Sequence, residues 1–357
     1  MQPFFQMRSS ALLALAACVS GCATAGSTAG VSLPAVDIVA KGETAPVGTA
    51  KADAADDPAI WRNAADPAAS LVLGTDKKAG LYVYGLDGKT RDFVAAGALN
   101  NVDLRELGDG RILVAASDRT DPARPRIALF LLDGRSARLT QLGAHPFLPE
   151  SHGPAEAYGF CMGKALGEGE LARAYVVMKD GEVAETALVE NAGAIAPRYL
   201  RSMKVATQSE GCVVDDVTGN LYLGEENVGI WRFDLSQPQP GAQSFAEVGV
   251  ADGLVADVEG LAIDRGEGRS WLIASSQGDN AYAVFDLATG DPVGRFRIAA
   301  GSLGATSETD GIELATGSFG DAYPRGLFVA QDGDNAPAAQ NFKFVDWGVI
   351  VSLLTAQ

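Results

Sequence analysis

Histidine is nearly missing: two residues in 357, His145 and His152, both in a stretch rich in proline and glycine. The four cysteines have no histidine beside them, so neither a thiolate–imidazole metal site nor a cysteine nucleophile has support. Basic charge is also scarce, with 28 Lys+Arg against 45 Asp+Glu and a formal net charge of -17. Nucleic-acid binding, which needs clustered cations to replace the counterions of phosphate, is excluded; cations are the natural partners. Long apolar runs are absent too. The longest near the N-terminus, Ala11 to Ala17, is too short to span a bilayer. Hydrophobic residues make up 47% and charged residues only 20%, enough for a substantial core and not a disordered composition.

The first residues, MQPFFQMRSSALLALAACVSGCATAG, combine Arg8, the apolar run and small residues around cysteine, the pattern of an export signal. Val19-Ser20-Gly21-Cys22 resembles a bacterial lipobox, with Leu15-Ala16-Ala17-Cys18 as a second fit and ordinary cleavage near ATA as the alternative. Residues 1–22 are therefore read as a lipoprotein-type signal, 23–35 as a flexible tether and 36–357 as one folded domain. Its expected location is outside the cytoplasm, periplasmic or lipid-anchored at the outer membrane, or else fully secreted. In that setting Cys161 and Cys212 favour a disulfide, with two buried free thiols as the other reading.

Strand-like runs recur as hairpins: LVLGTDKKAGLYVYGL, ILVAASDR with IALFLL, AYVVMKDGEVAETALVE, LYLGEENVGIWRFDL, WLIASSQGDNAYAVFDL, and LFVAQDGDN with FKFVDW. Their first strands start near Leu71, Ile112, Ala174, Leu221, Trp271 and Leu327, a mean spacing of about 51 residues, close to a propeller blade. A further short strand precedes each hairpin: DDPAIW, NVDLRE, EAYGFC, EGCVVD, VEGLAI and DGIELA. The expectation is an all-β, six-bladed β-propeller of four-stranded antiparallel blades. The Ala-rich segment from Ala184 to Ala196 predicts an irregular third blade.

In an antiparallel meander the start of the inner strand and the end of the next lie at one end of the blade. Inner-strand starts supply Asp56, Asp57, Asp103, Glu156, Tyr158, Glu210, Asp257, Glu259 and Asp310. The ends of the following strands supply Lys77, Arg119, Lys179, Asp180, Glu225, Glu226 and Asp332. Any one of these could be an ordinary polar turn residue. Their segregation, basic in the first three blades and mainly acidic in the fourth and sixth, argues for one shared rim around the channel. Packed carboxylates repel unless a cation sits among them, and oxygen ligands without histidine or thiolate select a hard ion such as Ca²⁺. Lys77, Arg119 and Lys179 opposite them would cradle a phosphorylated small molecule.

At these residues the chain resembles the β-propeller phytases, a family of calcium-dependent phosphomonoesterases acting on phytate. The resemblance is carried by DAADDPAIW, TDKKAGLYVY, NNVDLR, AYGFC, SEGCVVDD, LYLGEE, VEGLAI, SSQGDNAYAVF, TDGIEL and PRGLFVAQDGDN, in order from about Glu43 to Trp347. It implies phosphate-binding roles for Lys77, Arg119 and Lys179, an active-site role for Tyr158, and catalytic roles for Glu210 and Asp310. It also implies that Glu43, Asp56, Asp57, Glu210, Glu226, Asp257, Glu259 and Asp310 ligate several calcium ions, and it lowers the rank of Glu156 and Glu225. The implied reaction is hydrolysis by a calcium-activated water, of phytate or other inositol phosphates presented as calcium complexes, by a monomer touching membrane only through an N-terminal lipid.

No covalent phosphoenzyme is required: neither histidine lies in an Arg-His-Gly context, and neither cysteine opens a Cys-x5-Arg loop. Two departures stand out. An acidic residue usual in the loop before TDGIEL is missing from AAGSLGATSE, and the residue after Lys179 is Asp180 rather than Glu. The competing readings are a calcium-dependent propeller hydrolase of lactones or organophosphates, and a binding module whose calcium only stiffens the rim.

Overall fold

The computed structural model describes residues 1, 33–50, 53–266 and 268–356. The expected export signal with Cys18 and Cys22, and most of the tether, lie outside them. Among the described residues no helix is long and apolar enough to cross a membrane.

Six sheets form, each a meander whose innermost strand comes first in sequence: Ala55–Trp61, Leu99–Glu106, Ala157–Lys164, Ser209–Asp215, Val258–Asp264 and Ile312–Thr316. Each inner strand touches the next, and the sixth touches the first, so the sheets close into a ring of blades. The β-propeller expected from the repeated hairpins is the fold observed. Apolar residues on both faces of each sheet pack against the flanking sheets, which divides the core into six clusters, one between each pair of successive blades.

Closure uses the start of the chain. Gly42–Glu43 adds an antiparallel outer strand to blade six, beside Asn341–Asp346. Ala35–Val39 adds a fifth strand to blade five, pairing in parallel with Pro292–Ala299, a feature beyond the four-stranded meander expected. The helix Trp347–Leu354 then covers this side, capped by the Asp346 carboxylate, which accepts from the Gly348 N–H at 3.0 Å. Trp347 and Ile350 are fully buried against the fifth and sixth blades.

The third blade bears out the expected irregularity in one place: its outer strands Glu182–Asn191 and Ala194–Lys204 pair from end to end, but the register shifts between Glu185 and Thr186. Beside the apolar packing of Ala184, Leu188 and Ile195, this blade holds a buried charge network. Glu185, fully enclosed, takes Arg173 and Arg201 as partners. Paired in this way, a buried carboxylate is tolerated. Cys161 and Cys212 form a disulfide, with Cα atoms 5.7 Å apart, joining the inner strands of blades three and four.

Candidate active site

Five of the six inner strands carry a β-bulge at the same place. In each, three steps along the inner strand match two on its neighbour: between Ala55 and Pro58, Leu99 and Val102, Ala157 and Phe160, Ser209 and Cys212, Val258 and Leu261. A bulge inserts one unpaired residue and re-aims its side chain out of the pleat. The residues so released are Asp56, Asn100, Tyr158, Glu210 and Glu259; in blade six Asp310 takes the equivalent place just before its strand. The next position is glycine in four blades, because neighbouring inner strands approach too closely for a side chain. A Cβ on Gly159 would lie 1.9 Å from the Glu210 carbonyl oxygen, and one on Gly211 2.1 Å from that of Glu259.

A second ring stands outside the first, one residue beyond each second strand: Lys77, Arg119, Lys179, Glu226 and Gln277. Their backbone N–H groups donate to Ala54, Ala98, Glu156, Gln208 and Asp257 carbonyls at 2.7–3.1 Å, which fixes all five in one orientation relative to the inner ring. The Lys77 ammonium lies 2.8 Å from Asp53, 2.8 Å from Asp56 and 3.0 Å from Asp310. Arg119 donates to Asn100 Oδ1 (2.7 Å) and pairs with Glu156 (2.7 Å). Tyr158 sits between two cations, Arg119 at 5.2 Å and Lys179 at 5.0 Å from its ring centroid. Gln277 donates to Asp310 at 2.7 Å, and Gln208 to Glu226 at 2.7 Å.

Carboxylate oxygens of Glu210, Glu226 and Glu259, all buried, converge within 4.8 Å of one another. Burial first, and then the neighbouring carboxylates, push Glu210 and Glu259 well above the ordinary carboxylate range, and Asp310 up to about 8. Burial and the same carboxylates raise the Tyr158 phenol, keeping it protonated. Burial opposes the charge on Lys77, yet Asp56 and Asp310 outweigh it and hold the ammonium charged. Asp56 Oδ2 and Glu259 Oε2 are buried without any hydrogen-bond partner. Unpartnered buried oxygens in an all-oxygen donor set fit a hard divalent cation such as calcium. The rings open into a cleft of about 900 Å³ whose far wall is the 333–340 loop.

Of the residues singled out from the sequence, Asp56, Lys77, Arg119, Tyr158, Lys179, Glu210, Glu226, Asp257, Glu259 and Asp310 are gathered on this rim. Asp57 lies one layer below, its carboxylate accepting from the Val102 N–H at 2.9 Å in the narrow channel that also holds Asp103 and Glu313. Glu43 is not gathered with the rim residues; it stands on the outer strand of blade six against Lys343. Glu225 is spent on Thr207 and Trp231, Asp180 on Lys204, and Asp332 on Lys343. Sequence reasoning missed Asn100, Gln208 and Gln277. These carry no charge, and only their position two residues from, or in line with, a charged equivalent could have revealed them.

The family model described as Phytase matches residues 7–357. The chain is 38% identical over 331 residues to the 3-phytase of Bacillus subtilis (strain 168), covering 89% of this chain and 85% of that one. Among solved structures, one described as an oxidoreductase (glucose dehydrogenase) from Thermus thermophilus superimposes with a TM-score of 0.50 at 10% identity, over 85% of this chain and 100% of the other, a likeness of fold alone. The ring of converging carboxylates and cations thus belongs to a phosphate-ester hydrolase, and the chain is a member of the Phytase family.

Proposed function

We propose that the protein is a calcium-dependent phytase, hydrolysing myo-inositol hexakisphosphate and related inositol phosphates at the rim. One observation carries the reading: three cations stand on the ring that gathers the Glu210, Glu226 and Glu259 carboxylates, Lys77 against Asp56 and Asp310, and Arg119 and Lys179 against Tyr158. Glu210, Glu226 and Glu259, with Asp257 lining the same cleft, would hold the metal. Asp56 would add the Oδ2 that Lys77 leaves without a partner, whereas both oxygens of Asp310 are already taken by Lys77 and Gln277. When bound, calcium offsets phosphate charge and makes a water acidic enough to attack phosphorus.

The chain's own groups do the rest. Lys179 and Arg119, 5.0 and 5.2 Å from the Tyr158 ring centroid, bind non-bridging phosphate oxygens, the guanidinium as a fork and the ammonium as a point charge. Tyr158, protonated, directs its O–H to the Glu210 carboxylate, which holds the ring against the two cations. Lys77 stabilises charge on the departing phosphoryl group while Asp56 and Asp310 hold it in place. Asn100 and Gln277 fix Arg119 and Asp310. A cleft of about 900 Å³ is at the upper end for small-molecule sites, as a ligand with six phosphates demands. The Cys161–Cys212 disulfide supports export to an oxidising compartment, with residues 1–22 as the leader.

The test is phosphate release from phytate near neutral pH by protein lacking residues 1–22, with calcium and then with chelator. Release only with calcium supports the proposal. Equal release in chelator removes calcium from it, and none in either removes phytate.

A further inference from the structure

The resemblance drawn from sequence implies that Glu43 binds calcium, but the structure supplies it with another cation. Glu43 pairs in register with Lys343 across the two-residue strand that closes the propeller. The Lys343 side chain is 0% exposed. An ammonium has three donors, and three oxygens surround this one: Glu43 Oε2, Asp332 Oδ2 at 3.2 Å and Asn335 Oδ1 at 3.3 Å. Asn341 donates a further bond to Glu43 at 3.1 Å. Burial works against its ionisation, yet Lys343 and Asn341 pull the Glu43 carboxyl below its ordinary value.

The loop AAGSLGATSE, whose acidic residue is Glu308 at its end, faces the same spot through Gly304. A Cβ at Gly304 would point to Lys343 Nζ from 3.7 Å, so the residue nearest the ammonium on that side brings no carboxylate. Two carboxylates, Glu43 and Asp332, therefore share one buried positive charge that cannot leave. A divalent ion placed between them would meet that charge at contact distance, beside the enclosed Lys343 and Asp332 side chains, 0% and 1% exposed.

We infer that Lys343 is the permanent counter-ion of Glu43 and Asp332, that Glu43 is not a calcium ligand in this chain, and that the outer strand of blade six is held without metal. The rim sites of the proposed function serve only as the internal reference for ion binding.

Crystals of the unaltered protein soaked in terbium, with anomalous maps, locate the ions directly. Signal at Glu210, Glu226 and Glu259 with none within ligand distance of Glu43 supports the inference, and a peak on Glu43 overturns it. The variant Glu43→Gln gives an independent arm: calorimetric titration should count as many calcium ions as in the unaltered protein, and its melting temperature should fall by several degrees in chelator as well as in calcium. Loss of one ion, or a fall seen only in calcium, overturns the inference. Should no ion bind anywhere, the calcium reading of the rim fails, and the chelator melt alone decides for or against the Lys343 lock.

Discussion

The Asn100 amide donates to Glu210 at 2.6 Å, while its carbonyl oxygen accepts from Arg119. One neutral side chain, fully enclosed, thus ties an acidic member of the inner ring to a basic member of the outer ring. Asn100→Ala should lower turnover by about tenfold or more and cost roughly 1–3 kcal/mol of stability, since two buried groups lose a partner. Steady-state kinetics with urea unfolding in calcium buffer would check both; unchanged turnover sinks the positioning role.

Lys77 answers to three carboxylates at once. Lys77→Met should remove roughly 10²–10³-fold of kcat, the size of effect seen when a preorganised donor is lost. Arginine should not restore it, because a planar fork cannot reproduce a compact point charge between Asp56 and Asp310. Phosphate-release assays on both variants decide the matter, and near-normal activity in Lys77→Arg would count against a point-charge requirement.

Without metal, pH should act on stability with an unusual sign. Asp310 and Glu313 are each pushed up to about 8, and Glu210, Glu259 and Asp57 are also raised, burial being the first cause throughout. A carboxyl whose folded pKa exceeds its unfolded one contributes stability below the unfolded value, near 4, and loses it as pH rises through the folded value. The chelated protein should therefore melt progressively earlier between pH 5 and about pH 9. Calcium should flatten or reverse the trend by binding the ionised form. Thermal melts across that range, with chelator and with calcium, would show it; a chelated protein most stable at pH 9 refutes the assignment.

The disulfide between Cys161 and Cys212 closes a segment with a sequence separation of 51. Chain-entropy reasoning values such a loop at about 4 kcal/mol. Replacing both residues by serine should lower the melting temperature clearly while leaving kcat at 25 °C near its original value, since neither sulfur touches the rim. A large loss of kcat in a folded variant would show that the staple also shapes the site.

Gly159→Ala should be costlier than its surroundings suggest. The added methyl would collide with the Glu210 carbonyl oxygen at 1.9 Å, so blade three must shift away from blade four. Loss of calcium binding together with stability is the expected outcome, read by calorimetric titration and melting.

The hairpins were legible in the sequence because alternating Val, Leu, Ile and Tyr bounded by Gly, Asp and Asn leaves few other structures, and observed second strands begin within a few residues of the expected starts. Rim carboxylates and cations were legible because meander geometry sends strand starts and ends to one side. Bulges were not, since each falls at the first residues of its strand, where too little alternation precedes it for the one-residue change of phase to show. Asn100, Gln208 and Gln277 escaped because reasoning from charge overlooks neutral amides. Blade three was legible as irregular, but not the Glu185 ion network at its register shift, which is visible only once Arg173 and Arg201 are placed around it. Glu43 was legible as an acidic residue, not as the partner of Lys343.

The repeated bulge separates two kinds of information. Because the extra residue leaves the pleat in each inner strand, Asp56, Asn100, Tyr158, Glu210 and Glu259 are written outside the alternation that encodes the core. A substitution at one of these positions therefore changes what the rim presents without disturbing the alternation that builds its sheet, and its cost falls on the partners across the ring, as between Asn100 and Glu210.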